Sequence, residues 1–130
     1  MTTYYNNPTD NNSLSHNLVR TLYFDRSGVL WLGTEAGLNK MTGANRFIRF
    51  LSKENDPKSL SHNVINTIFE DSFGQIWVGT VGGGLNKLDQ LTNQFTSYQN
   101  DPNNPISILE PDTYVFKVRG YRRNGRDKFK

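Results

Sequence analysis

Apolar and polar positions alternate along this chain in short runs, and each run is bounded by glycine, asparagine, aspartate or serine. Alternation with a period of two is typical of β-strands whose two faces meet different surroundings. Turn-forming residues recur about every 8–12 positions, a spacing that favours antiparallel sheets with short connections. A helical interpretation fails because glycine, asparagine and β-branched residues interrupt every window long enough to form a helix.

The alternation predicts eight strands in two groups of four. The first group covers residues 18–25, 29–34, a segment that begins at Gly37, and 46–50. The second group covers residues 64–71, 75–80, a segment that follows Gly84, and 94–98. The sequence therefore predicts an all-β fold that contains two four-stranded antiparallel sheets.

The second strand of each group is apolar on both of its faces. In residues 30–32, Leu-Trp-Leu, neighbouring side chains point to opposite sides of the sheet. A sheet that is apolar on both sides must be covered on both sides, and the radial stacking of about four to eight blades in a β-propeller provides that cover. We therefore expect Trp31 and Trp77 to pack between blades. Gly33 and Gly79 are expected to leave space for a neighbouring aromatic side chain.

The two groups of strands are copies of one sequence repeat. Residues 13–17 recur as residues 59–63, and residues 25–34 recur as residues 71–80, in both cases 46 positions later. Because glycine and aspartate form turns and tryptophan fills space, we predict structural roles for ten positions of the repeat. These positions are Asp25, Gly28, Trp31, Gly33, Gly37, Asp71, Gly74, Trp77, Gly79 and Gly84.

The repeated motif Asp-x-x-Gly-x-Leu/Ile-Trp-Leu/Val-Gly-Thr, followed by Gly-Leu-Asn, resembles the two-component regulator propeller repeat. The preceding Ser-Leu-Ser-His-Asn resembles the linker between blades of the same repeats, and the resemblance extends over residues 4–107. It implies a parent protein that is the periplasmic sensor of a hybrid two-component system. It also implies an oligosaccharide as the parent's ligand and a histidine kinase that has no counterpart in this sequence.

The last part of the chain resembles a different module of the same sensors. Residues 109–120 resemble a late strand of the immunoglobulin-like triple-tyrosine domain, and Asn124-Gly125 is a hairpin turn signal. The predicted fold is thus an incomplete two-blade propeller with a C-terminal strand or hairpin. Its five segments are a leading linker (1–12), a first blade (13–50), a linker with the second blade (51–98), the start of a third repeat (99–108), and the module remnant with a basic tail (109–130).

Composition and charge exclude several kinds of site and segment. The chain has no cysteine, which excludes disulfides and thiolate metal sites. No apolar stretch reaches the roughly 20 residues that span a bilayer. Because the N-terminus also lacks a signal-peptide pattern, the chain expressed as written is expected in the cytoplasm. Residues 117–130 hold seven basic and one acidic side chains, so the net charge of +3 comes from the tail, and residues 1–116 carry −3.

Candidate catalytic and metal-binding residues have simpler structural interpretations. His16 and His62 occupy the same position of the repeat, whereas a site needs unlike groups that converge, so we interpret both as linker turn residues. Glu70 and Asp71 are strand neighbours that point to opposite faces and cannot act as a pair of catalytic carboxylates. We predict no catalytic, cofactor-binding or metal-binding residue, and the sequence does not assign the ligand-contacting ones.

Three functions are compatible with these features. We favour a non-catalytic fragment of a ligand-sensing propeller. The alternative is a self-associating module, because exposed blade faces and open edges invite partners and about three or four copies supply roughly six to eight blades. A nucleic-acid binder with a basic tail is the third, and we do not expect it, since such a tail gives only salt-sensitive, non-specific affinity. An isolated two-blade monomer is expected to be poorly stable.

Overall fold

The computed structural model describes residues 2–99, which form eight β-strands and no helix. The strands are β1 (Val19–Phe24), β2 (Leu30–Thr34), β3 (Gly37–Met41), β4 (Phe47–Phe50), β5 (Ile65–Glu70), β6 (Ile76–Thr80), β7 (Leu85–Asp89) and β8 (Gln94–Tyr98). They form two four-stranded antiparallel sheets, sheet 1 with the order β1-β2-β3-β4 and sheet 2 with the order β5-β6-β7-β8. This confirms the predicted all-β fold of two blades.

The observed strands begin and end within one residue of the predicted ones, because turn hydrogen bonds take up the flanking positions. The backbone N–H of Asp25 donates to the carbonyl of Val29 at 3.0 Å, and that of Asp71 donates to Gln75 at 2.9 Å. Within residues 2–99 there is no helix that could cross a membrane. The predicted C-terminal strand or hairpin and the basic tail, residues 109–130, lie outside the described residues.

The strand register divides the side chains of each sheet between two faces. The front face of sheet 1 carries Tyr23, Trp31, Leu38, Lys40 and Phe50, and its back face carries Leu22, Phe24, Leu32, Asn39 and Arg49. At equivalent positions, the front face of sheet 2 carries Phe69, Trp77, Leu85, Lys87 and Tyr98, and its back face carries Ile68, Glu70, Val78, Asn86 and Ser97.

The front face of sheet 1 packs on the back face of sheet 2. Their shared core consists of Trp31, Leu38, Phe50, Leu60, Ile65, Ile68, Ile76, Val78, Leu88 and Phe95. Across the interface, the rings of Phe50 and Phe95 meet edge to face with their centroids 5.8 Å apart. Complete burial of one such side chain contributes about 1.5–3 kcal/mol. The sheets approach each other along β1 and β5, and we call this side of the molecule the inner edge.

Gly33 is a point of close contact between the sheets. A Cβ atom at this position would lie within 3 Å of two side chains, those of Ile65 and Thr21. The prediction of an aromatic neighbour is wrong here: the space is filled by the β-branched Ile65 at the start of β5. The backbones of β2 and β5 come so close at the inner edge that an aromatic ring has no room between them.

A linker crosses the back face of each sheet before the first strand begins. Leu14 and Leu60, equivalent residues of the two linkers, are both buried. The carbonyl of Asn12 accepts a hydrogen bond from the backbone N–H of Phe47 at 2.8 Å, and sheet 2 repeats this contact between Lys58 and Phe95. Each linker is therefore attached to the fourth strand of its own blade.

Candidate functional site

The Asp-x-x-Gly-x-x-Trp part of the repeat forms a turn that a carboxylate closes. Asp25 Oδ1 accepts hydrogen bonds from the backbone N–H groups of Ser27 (2.9 Å) and Val29 (3.0 Å), and Oδ2 accepts one from Trp31 Nε1 (2.9 Å). Gly28 has a φ of 87°, a conformation that glycine adopts without steric cost. The carboxylate therefore connects the turn to the buried indole ring of the next strand.

The second repeat builds the same turn from Asp71 and Gly74, which has a φ of 81°. Asp71 accepts hydrogen bonds from the backbone N–H groups of Phe73 and Gln75, both at 2.9 Å, and from Trp77 Nε1 at 2.7 Å. Burial raises the pKa of each turn aspartate, but the indole and backbone hydrogen bonds, together with a nearby lysine, outweigh it. The pKa of both carboxyls is therefore held below the ordinary value of 3.8, as suits permanently ionised acceptors.

The Ser-Leu-Ser-His-Asn, Gly-Thr and Gly-Leu-Asn motifs meet in one buried polar cluster. Asn39 Oδ1 accepts a hydrogen bond from Ser15 N (2.9 Å), and Asn39 Nδ2 donates to Ser15 Oγ (2.8 Å). The hydroxyl groups of Ser15 and Thr34 are 2.8 Å apart, and Thr34 Oγ1 donates to the Gly37 carbonyl at 3.1 Å. These contacts fasten the linker to β2 and β3, which accounts for three motifs that are distant in sequence.

Sheet 2 contains a similar cluster of Ser61, Asn86 and Thr80, in which the Ser61 hydroxyl donates to the Gly83 carbonyl at 2.7 Å. Asn86 Oδ1 accepts a hydrogen bond from Ser61 N (3.1 Å), and Asn86 Nδ2 donates to Ser61 Oγ (2.8 Å). Thr80 Oγ1 donates to the Gly84 carbonyl at 3.0 Å. Gly84 has a φ of 83°, and a Cβ there would lie 2.4 Å from the Tyr98 carbonyl oxygen. Gly79, on the strand beside it, is buried. The repeat positions of both blades thus lie in turns and in the interior.

The two histidines make equivalent contacts, each within its own linker. His16 Nδ1 accepts the backbone N–H of Leu18 at 2.9 Å, and His62 Nδ1 accepts that of Val64 at 3.2 Å. Each ring therefore completes a turn of its own linker. Among residues 2–99 there is no group of three or more histidine, aspartate and glutamate side chains that could hold a metal ion.

Glu70 and Asp71 are engaged in separate contacts. Glu70 Oε1 accepts the backbone N–H of Arg26 at 2.8 Å and lies 3.3 Å from Arg26 Nε. The guanidinium of Arg26 also donates to the backbone carbonyl of Asp71. These contacts hold the first turn of sheet 1 against the end of β5. The Glu70 carboxylate thus joins the two sheets, whereas the Asp71 carboxylate closes its own turn within sheet 2.

A different set of polar side chains converges at the inner edge. β1 and β5 each contain a β-bulge, and Arg20 and Asn66 are the residues at which the register shifts. Arg20 Nη1 lies 2.6 Å from Glu35 Oε2, and Arg20 Nη2 donates to Asn66 Oδ1 at 3.3 Å. The side chains of Arg20 and Glu35 each remain 34% exposed. We call these three residues the first-strand cluster.

One donor of the first-strand cluster is unmatched. Asn66 Nδ2 is buried and has no hydrogen-bond partner among the described residues. The hydrogen bond that Asn66 Oδ1 accepts from Arg20 fixes the orientation of the amide, so Nδ2 points away from the guanidinium. An unpaired buried donor costs about 1–3 kcal/mol. The cluster thus combines two partly exposed charged groups with an amide that lacks an acceptor.

The pattern of apolar and polar positions does not predict the first-strand cluster, although comparison of the two repeats contains a signal for it. Framework positions are the same in both copies, whereas Arg20 is replaced by Asn66 and Glu35 by Val81. Positions that differ between two otherwise similar repeats are not required by the fold of the repeat, so their side chains are available to contact a ligand. β-Bulges also reorient side chains and are frequent next to functional sites, but a bulge is visible only once the strands are paired.

A family model and a set of solved structures both relate this chain to proteins of two-component systems. The family model of the two-component regulator propeller matches residues 13–36 and 59–82. These segments contain the linker turn, the Asp-Trp turn and the first two strands of each blade. No curated protein matches the chain.

Solved structures with a similar fold come from B. thetaiotaomicron. The extracellular domain of the protein named as hybrid two-component system BT3049 superimposes with a TM-score of 0.67 and 35% sequence identity, covering 76% of this chain and 14% of that one. Two structures of the extracellular domain of BT4673, named in one case as a hybrid two-component system and in the other as a one-component system, give a TM-score of 0.53 and 32% identity over 62% of this chain. The chain spans 11% of their length, so it corresponds to a small part of such a domain.

Proposed function

Because this chain is built from repeats of the two-component regulator propeller family, we propose that it is a non-catalytic segment of an extracellular ligand-sensing propeller. The similar solved structures are extracellular domains, which supports a site of action on the periplasmic side of the membrane. We further propose that the ligand is a neutral oligosaccharide and that the first-strand cluster contacts it.

The convergence of Arg20, Glu35 and Asn66 at the inner edge is the observation that carries this proposal. Guanidinium, carboxylate and amide groups together supply several donors and acceptors in fixed planes, which matches adjacent sugar hydroxyl groups that both donate and accept. Arg20 is already neutralised by Glu35 at 2.6 Å, so the cluster has no net charge. That balance favours an uncharged ligand.

The turn aspartates and the buried asparagines are poorer candidates for ligand contact. Asp25 and Asp71 already accept three hydrogen bonds each, and Asn39 and Asn86 are fully buried. Displacing those bonds would leave buried groups unpaired, at a cost of about 1–3 kcal/mol each. A ligand is therefore expected to gain more binding free energy from contacts with the residues that differ between the two repeats.

Isothermal titration calorimetry on the full chain tests the proposal with neutral oligosaccharides of four to six glucose, mannose, galactose or xylose units. We expect at least one of them to bind, and we expect Arg20→Ala and Asn66→Ala each to weaken binding by about tenfold or more, which corresponds to about 1.4 kcal/mol. Arg46→Ala is the matched control, because this exposed arginine lies in the turn before β4. Absence of binding to the whole series, or equal binding by the Arg20 and Arg46 variants, would contradict the proposal.

A further inference from the structure

The side chain of Arg49, on the back face of sheet 1, is held by the linker that crosses the same face. Its Nε donates to the Ser13 carbonyl at 2.9 Å. Its Nη2 donates to the Asp10 carbonyl at 3.0 Å and to Ser13 Oγ at 2.9 Å. The linker turn thus presents three oxygen acceptors to the planar fork of a guanidinium group. With the guanidinium in this place, Ser13 is buried.

The linker of sheet 2 builds the same turn from Lys53, Asp56 and Ser59. Ser59 N donates to the Asp56 carbonyl at 3.1 Å, and the equivalent bond in the first linker measures 3.0 Å. Ser59 Oγ accepts the backbone N–H of Lys53 at 2.9 Å and donates to the Asp56 carbonyl at 2.8 Å. Ser13 makes the corresponding bonds at 2.8 and 2.9 Å. The three acceptors are therefore present a second time, as the Ser59 carbonyl, the Asp56 carbonyl and Ser59 Oγ.

The side chain that fills the first turn has no equivalent at the second. The strand register pairs Arg49 with Asn39 and Ser97 with Asn86, so Ser97 occupies the position of Arg49. A serine side chain is too short to make the contacts of a guanidinium. An open pocket of about 450 Å³ lies here, and Asp56, Ser59 and Ser97 are among the residues that line it. Ser59 is correspondingly more exposed than its counterpart in the first linker.

We propose that this pocket, which we call the linker pocket, binds the guanidinium group of a ligand in the place that Arg49 takes in sheet 1. The first blade supplies the pattern of contacts: one N–H group donates to the Ser59 carbonyl, and a second donates to the Asp56 carbonyl and Ser59 Oγ. The linker pocket lies beside β8, whereas the first-strand cluster lies on β1 and β5. The inference is therefore independent of the proposed oligosaccharide.

The acceptors of the linker pocket, rather than its charge, favour a guanidinium. Lys53 and Asp56 both line the pocket, and their opposite charges balance. Asp56 Oδ1 accepts the backbone N–H of Lys58 at 3.0 Å, so the carboxylate serves its own turn. Carbonyl oxygens form stronger hydrogen bonds with a cationic donor than with a neutral one. A guanidinium offers coplanar N–H groups in a fixed fork, whereas an ammonium is a compact point charge without that fork.

Nitrogen–proton correlation NMR of the full chain, titrated with Nα-acetyl-arginine amide, tests the proposal. We expect saturable shifts of the backbone amides of Ser59, Ser97 and Gln99, which line the pocket, and no comparable shift at Ser13. Nα-acetyl-lysine amide carries the same charge without the planar fork. We expect it to bind about tenfold more weakly, which corresponds to about 1.4 kcal/mol.

Three substitutions assign the site. Ser97→Arg supplies the guanidinium from the chain itself, as in sheet 1, and is expected to abolish probe binding and to raise the urea midpoint. Thr96→Arg is the matched control, because it adds the same charge at the neighbouring exposed position on the front face of β8, and it is expected to bind as the parent chain does. Arg49→Ser empties the first turn and is expected to add a second site, observed as new shifts at Ser13.

A parent chain without saturable shifts overturns the proposal, and this outcome includes occupation of the pocket by an arginine of the chain's own tail. Equal affinity for the arginine and lysine probes overturns it as well, and so does equal binding by the Ser97→Arg and Thr96→Arg variants. Circular dichroism checks that each variant retains its strands. If Arg49→Ser does not fold, the other two substitutions still decide the outcome, because both change exposed positions of β8.

Discussion

Replacing Trp31 with alanine is expected to lower the free energy of unfolding by about 3–5 kcal/mol, the usual range for removal of a fully buried tryptophan. The indole is completely buried, stacks on Phe50 with a centroid distance of 6.1 Å, and donates a hydrogen bond to Asp25. The substitution therefore leaves a cavity in the shared core and removes a donor from a buried carboxylate.

Trp77→Ala is the matched control for this prediction. Trp77 makes the equivalent hydrogen bond to Asp71 at 2.7 Å, but it lies on the front face of sheet 2 and is only half-buried. Urea unfolding of both variants should show a clearly smaller loss of unfolding free energy for Trp77→Ala. Equal losses would mean that the front face of sheet 1 is not covered by sheet 2.

Acidification is expected to destabilise the chain through its two turn aspartates. Their folded-state pKa is lowered relative to the ordinary value of 3.8, so the unfolded chain binds protons more readily than the folded one. The stability that the carboxylates provide is therefore fully present above about pH 4. It is lost as the pH falls below 3.8 and through the folded pKa, because protonation removes the ionised acceptor of three hydrogen bonds at each turn.

The measurement is the urea midpoint between pH 5 and pH 2, compared between the parent chain and a variant that combines Asp25→Asn with Asp71→Asn. We expect the variant to be less stable at pH 5 and to show a shallower decline with acid, since its turns have no proton to gain. Both turns lose their ionised carboxylate over the same pH range, so the parent chain loses the stability that each of them provides. Parallel curves for the two proteins would show that these carboxylates do not carry the acid response.

The strand pattern and the two-sheet fold were predictable because they depend on local chemistry. β2 and β6 have large apolar side chains on both faces, and such strands require a neighbouring sheet on each side. The repeat also shows which residues are framework, since Asp25 and Asp71 occur in the same local setting and make the same bonds. Local composition and internal repetition are sufficient for these conclusions.

Contacts between the sheets were not predictable in the same way. Gly33 meets Ile65 rather than an aromatic ring, because the distance between β2 and β5 depends on how the sheets approach at the inner edge. The first-strand cluster likewise joins Arg20 to Asn66, 46 residues later, and requires a bulge in each of two strands. No periodicity of a single segment contains that information.

Nuclear Overhauser contacts between Gly33 and Ile65 test the central claim, that the front face of sheet 1 packs on the back face of sheet 2. The geometry places Ile65 Cγ2 within 3 Å of where a Gly33 Cβ would lie, so the methyl group should give strong cross-peaks to the Gly33 α-protons. Cross-peaks between the rings of Phe50 and Phe95, 5.8 Å apart, should accompany them. An Ile65 methyl group with cross-peaks only to residues of sheet 2 would contradict the account.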